Sequence, residues 1–162
     1  LGKEANKMDK SPVTQVDYQE DIIQVKLMNV EKNALFVGNI FQIISQYNIN
    51  VDMISQIMLE DEIRIDFTCS SDDQEKLNQA IICIKENHPR IEVYQNRNVG
   101  KIKVEGQLMK EEVGVAATLF DIFGKQQVPI LQITTSEISI SYVLEKQYVK
   151  QIVQSIKNTY HI

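Results

Sequence analysis

The stretch EKNALFVGNIF, Glu31–Phe41, decides the fold, because the chain writes it twice. At an offset of 79 residues, from Glu31 to Lys110, it returns as KEEVGVAATLF, Lys110–Phe120. Each copy follows a run of alternating polar and apolar residues and opens a run with helical spacing. The copies differ at the turn itself. Gly114 stands just ahead of the second helix, and Leu35 occupies the matching place in the first.

Working outward, IIQVKLMNV (22–30) alternates Ile23, Val25 and Leu27 against Gln24, Lys26 and Met28, which predicts a strand. Val37, Ile40, Phe41 and Ile44 then fall on one helical face, and Asn48 marks its stop. INVDMISQIML (49–59) and IRIDFTC (63–69) read as strands around a Glu60-Asp61-Glu62 turn. Cap residues in SSDD precede a helix with Leu77, Ala80, Ile81 and Ile84 on one face. His88-Pro89 ends it, and IEVYQ (91–95) is a further strand.

The second half repeats this order with a strand at 101–106, a helix after Gly114, strands at 128–135 and 138–144, and a closing helix to Tyr160. At the same offset of 79, Ile23, Val25, Phe41, Ile43, Ile49, Val51 and Ile54 meet Ile102, Val104, Phe120, Ile122, Val128, Ile130 and Ile133. The second half ends at Ile162 without a fourth strand. VTQVDY (13–18) is a spare strand, and an unpaired edge is a liability, so this segment is expected to cross over and complete the second sheet. The expected organisation is a linker over 1–12, one domain over 22–96, and a second over 98–162 completed by strand 13–18. The fold class is α+β, with two βαββαβ units in tandem, each an antiparallel sheet carrying helices on one face.

Composition narrows the function. The chain has 162 residues, 43% hydrophobic and 24% charged, with a net charge of −5. An acidic chain whose inner strands carry Ile, Val and Met is a poor partner for nucleic acid. No apolar run approaches the ~18 residues that span a membrane, and no membrane partner is expected. Cys69 and Cys83 lack metal spacing and are expected to be free buried thiols in a reducing, cytoplasmic setting. The chain starts at Leu1 rather than Met, and is expected to be a piece of a longer protein or a trimmed one.

No phosphate-binding glycine loop and no GxSxG occur. His88 and His161 sit near no candidate nucleophile and read as satisfied surface histidines. Glu60-Asp61-Glu62 reads as a solvated turn rather than a metal site. No catalytic residue and no metal ligand are expected. The doubled turn remains. A helix amino terminus offers free N–H groups and partial positive charge, and holds carboxylates. Lys110 and Gly114 suit such a pocket, and an ordinary strand-to-helix turn explains the same residues.

INVDMISQ (49–56), NVGKIKVEGQLM (98–109), VGVAATLF (113–120) and ITTSEISISYVL (133–144) resemble the C-terminal regulatory region of aspartate kinases, a tandem of ferredoxin-like ACT domains. The resemblance covers residues 13–162, and Thr135-Ser136-Glu137-Ile138 with Ser139-Ile140-Ser141 is its most specific motif. It implies an end-product amino acid bound where ACT domains of two chains pair, lysine first and threonine next, with feedback inhibition as the outcome. It also implies a homodimer and an attached kinase domain that phosphorylates L-aspartate. That domain is absent from this chain, which should be inactive alone. ATP and magnesium would belong to it, and no cofactor is expected here.

Carried over residue by residue, one effector site draws on Met109, Lys110, Val113, Gly114, Val115 and Ala116, with Asn50, Val51, Asp52, Gln56, Ser136 and Glu137. The family's His-Pro ahead of the glycine is Glu112-Val113 here. The other site would use Asn33, Ala34, Leu35, Phe36, Pro129 and Ile130. There the family's Asp-Lys-Pro-Gly has become Lys32-Asn33-Ala34-Leu35, and its Asn has become Pro129, which lacks an N–H. This second site is read as degenerate. The alternative for the whole chain is an ACT pair that serves dimerisation alone.

Overall fold

The computed structural model describes residues 11–162. Of the 1–12 linker, all but the last two residues lie outside that range. The chain folds as two compact units, Asp21–Val99 (the first unit) and Gly100–Ile162 with the segment ending at Glu20 (the second).

In the first unit, β2 (Ile22–Val30), β3 (Asp52–Met58), β4 (Ile63–Ser70) and β5 (Glu92–Asn96) form a sheet ordered β3-β4-β2-β5. Its neighbours all run antiparallel. Helices α1 (Ala34–Gln46) and α2 (Gln74–Asn87) pack on one face. The period-2 pattern does what it must: Ile23, Val25 and Leu27 of β2 turn inward with Ile65 and Phe67 of β4. Ile40, Ile44, Leu77 and Ile84 cover them from the helices. Burial of each such side chain contributes roughly 1.5–3 kcal/mol. Ser70 Oγ accepts the Asp72 N–H at 3.2 Å and starts the turn into α2.

In the second unit, β1 (Gln15–Gln19) pairs antiparallel with β6 (Val99–Glu105), from Gln15 opposite Glu105 to Gln19 opposite Lys101. With β7 (Gln132–Thr135) and β8 (Ser139–Glu145) the order is β1-β6-β8-β7. Helices α3 (Val115–Lys125) and α4 (Val149–Tyr160) bury Leu119, Phe123, Ile152 and Ile156 against it.

Two strands are shorter than their hydrophobicity predicts. Residues 49–51 precede β3, because Asn48 turns left-handed at φ 57 and the Ile49 N–H goes back to Ile44 O at 3.4 Å. Residues 128–131 precede β7, because the Val128 N–H closes α3 onto Phe123 O at 3.0 Å and Pro129 has no N–H. Cys69 is buried, and burial pushes its thiol up to about 11, with the Asp73 charge adding to this. Cys83 is also free but only partly buried.

The repeat reaches into the core. Phe41 meets Phe67 at 6.2 Å in the first unit, and Phe120 meets Tyr142 at 6.3 Å in the second. Tyr142 is fully buried, and its hydroxyl has no hydrogen-bond partner among the described residues. Burial, with Tyr160 nearby, holds that hydroxyl far above the usual phenol range. An orphaned buried polar group costs ~1–3 kcal/mol, and the first unit places Phe67 in the equivalent strand position. Tyr142→Phe is therefore expected to leave the fold intact and to stabilise it by about 1 kcal/mol, read as an upward shift of the urea midpoint. A loss of stability would show that the hydroxyl is satisfied.

Candidate functional site

After β6 the Gly106 N–H donates to Ile138 O at 2.9 Å, which ties the turn beyond it to the β7–β8 hairpin. Two tight bonds follow, Met109 N–H to Gly106 O at 3.2 Å and Glu111 N–H to Leu108 O at 3.0 Å. They bring the chain to Gly114 at φ 93, ψ 0. A Cβ there would meet nothing within 4 Å among the described residues. The glycine is thus demanded by the left-handed backbone and not by crowding. It leaves the first turn of α3 without any side-chain cap. The leading N–H groups of that helix have no intrahelical acceptors and carry the positive end of its dipole.

The same place in the first unit is closed. Asn33, extended at φ −146 and ψ 117, caps α1: its Oδ1 accepts the Leu35 N–H at 2.9 Å. The protein's own amide oxygen thus takes one of the N–H groups at this helix start. Leu35 stands over this end, 77% exposed.

Of the sequence-predicted residues, Lys110, Val113, Gly114 and Ala116 are exposed around the open turn, as are Glu111 and Glu112. Met109 and Val115 are core side chains, 8% and 7% exposed, so only their backbone is available to a ligand. Ser136 and Glu137 form the hairpin tip, where Ser136 Oγ meets Ser139 Oγ at 2.8 Å. Pro129 is exposed and Ile130 half-buried ahead of β7. These residues belong to the second unit; Asn33–Phe36, Asn50–Asp52 and Gln56 belong to the first.

In the first unit Asp52 and Gln56 are exposed on β3, and Asn50 is exposed just ahead of it. Between Asp52 and Ser55 the strand bulges, and Met53 takes φ 48 while only 6% exposed. A left-handed methionine inside a strand is a local strain held by its surroundings. The Thr68 hydroxyl fixes the bulge by donating to Asp52 O at 3.2 Å. Sequence reading missed this bulge, since methionine carries no left-handed signal. It also missed the role of Asn33, although Asn ahead of an apolar helix face is a known cap pattern. His88 is satisfied, with Nε2 at 2.8 Å from Asn39 Oδ1.

Residues 102–160 match the family described as ACT domain. The aspartokinase of Helicobacter pylori (strain ATCC 700392 / 26695) is 28% identical over 157 residues, which are 96% of this chain and 38% of that protein. The chain thus spans about two-fifths of the length of the curated relatives it matches. The ligand-free regulatory subunit of aspartate kinase from Thermus thermophilus shares the fold with a TM-score of 0.84 at 22% identity, covering 91% of this chain and 99% of that one. Escherichia coli aspartokinase III in complex with lysine and aspartate (T-state) shares it at 0.64 and 18% identity, covering 93% and 33%. The resemblance read from the sequence is borne out, and so is the tandem ferredoxin-like fold.

Proposed function

We propose that this chain is the amino-acid-sensing regulatory region of an aspartate kinase, and that it inhibits an attached kinase domain when an end-product amino acid binds. One observation carries the reading: the helix start at Gly114 has no side-chain cap, while the one at Asn33, two residues earlier in the repeat, is capped by the protein's own amide oxygen. The ligand carboxylate lies on the first-turn N–H groups of α3. Its ammonium pairs with Asp52 or Glu137. Glu111 and Glu112 favour a cationic side chain, which makes lysine the first candidate and threonine the next. The likeness to aspartokinases, one of them solved with lysine and aspartate, supports this class of ligand.

In this reading two chains pair through their ACT domains, and the site is shared between them. Binding favours one placement of the chains and hence one state of the kinase domain; a coupling of ~1–3 kcal/mol suffices. The kinase domain, with ATP and magnesium, phosphorylates L-aspartate in the cytoplasm. The competing reading is a pair that only dimerises. The filled turn at Asn33, with Leu35 and Pro129, favours it for one of the two sites.

Amide shift mapping tests the assignment. Lysine added to the ¹⁵N-labelled chain is expected to move the amides of 110–116 and 50–56 and to leave 33–36 still. Shifts confined to 33–36 would overturn the choice of loop.

A further inference from the structure

The repeat holds one strand in two registers. In the second unit β7 runs along β8 without interruption: Gln132 faces Val143, Ile133 faces Tyr142, Thr134 faces Ser141 and Thr135 faces Ile140. Its counterpart in the first unit, β3, does not. Going back along β3, Met58 faces Ile63, Ile57 faces Arg64, Gln56 faces Ile65 and Ser55 faces Asp66. The pairing then jumps by one residue, to Asp52 opposite Thr68. Met53 and Ile54 thus share the place opposite Phe67 that Ile133 alone takes opposite Tyr142.

Residues directly opposite each other share a face of the sheet, so the jump decides where Asp52 stands. In the bulged register Asp52 shares a face with Thr68, Ser55 and Asp66. Without the extra residue, Met53 would stand opposite Thr68, as Gln132 stands opposite Val143, and Asp52 would turn to the other face. The bulge is held against a cost. Met53 takes φ 48, a left-handed backbone that a side chain disfavours. The Thr68 hydroxyl latches it by donating to Asp52 O at 3.2 Å. The regular register lies one residue away, ~3.3 Å along the strand. Residues 49–51 lie outside any strand and can follow that slide. β3 is at the edge of its sheet, where β4 is its one neighbour among the described strands.

We infer that the start of β3 is a two-register switch, which sets Asp52 on one face of the sheet or the other. Its coupling to a ligand rests on the reading of Asp52 as a partner of the ligand ammonium. A ligand that pairs with Asp52 where it now stands favours the bulged register, and shifts the population by the ratio of its affinities for the two forms.

NMR on the full chain tests this, because the register shows in which residue contacts Thr68 across the strands. Met53→Val brings in a β-branched side chain that resists the left-handed region. It is expected to move the contact from residue 52 to residue 53, with a population shift of at least about fivefold. Met53→Asn tolerates that backbone and should keep the contact at residue 52. Thr68→Val removes the latch and should act as Met53→Val does, so it decides the matter if Met53→Val does not fold. A contact that stays at residue 52, at the parent's level, in the folded variants overturns the switch. Lysine titration then reads the coupling. Met53→Val should bind lysine at least about fivefold more weakly, and saturating lysine should restore the contact at residue 52. Unchanged lysine affinity in a variant whose register has changed overturns the coupling. A parent that binds no lysine would instead fail the reading of the Gly114 turn. The register arm needs no ligand and would still decide the switch.

Discussion

Gly106→Ala is expected to destabilise the second unit by about 3 kcal/mol or more. A Cβ on Gly106 would lie 1.7 Å from Pro12 O, 2.7 Å from Pro12 C and 3.1 Å from Val13 Cα. All three are backbone atoms, so no rotamer change relieves the clash. The segment cannot simply move away. Thr14 donates to Glu105 O at 2.9 Å, Val13 is fully buried, and β1 pairs with β6 over five residues. Relief means lifting the lead-in to β1 off the sheet edge. Gly100 is the control. A Cβ there meets the Val149 Cγ2 methyl at 2.5 Å, a side-chain atom that can shift, so Gly100→Ala should cost less. Hydrogen exchange read by unit checks the claim. Protection should fall in β1 and β6 and hold in β2 and β4. A Gly106→Ala protein with the parent's denaturation midpoint would show that the close approach is not real.

Gly114→Leu carries the second large effect, on binding rather than stability. A leucine forced to φ 93 costs roughly 1–2 kcal/mol, and a Cβ there meets no neighbour, so the fold should survive. The substitution places on the second turn the residue that the first turn already has, Leu35. The proposed ligand lies against the backbone at this point. A side chain over the first-turn amides should therefore weaken lysine by at least about 100-fold, the loss of two or more charge-assisted hydrogen bonds. Paired denaturation and calorimetry on the variant separate the two effects. Lysine affinity that survives Gly114→Leu in a folded protein would place the site elsewhere.

The sequence made the fold class readable because both periodicities were strong and the chain repeated them. Ile23, Val25, Ile43 and Ile49, with Ile102, Val104, Ile122 and Val128 at offset 79, lie in or against the cores of the two units, while Ile54 and Phe120 of the same repeat are exposed. Strand ends were less readable. Where β3 and β7 begin depends on single N–H groups at Ile49 and Val128 that return to the preceding helix. No hydrophobic pattern records that choice. At the doubled turn, the sequence showed that Leu35 replaced a glycine but not what filled the space. The Asn33 side chain does so, by accepting the Leu35 N–H.

The central claim is that this chain binds an end-product amino acid at the open helix start. Calorimetric titration of the chain with lysine, threonine and methionine in turn tests it most directly. The account predicts saturable heat with lysine, at about one site per chain, lost in Gly114→Leu. No heat with any of the three would contradict it and leave an ACT pair that serves only to join chains.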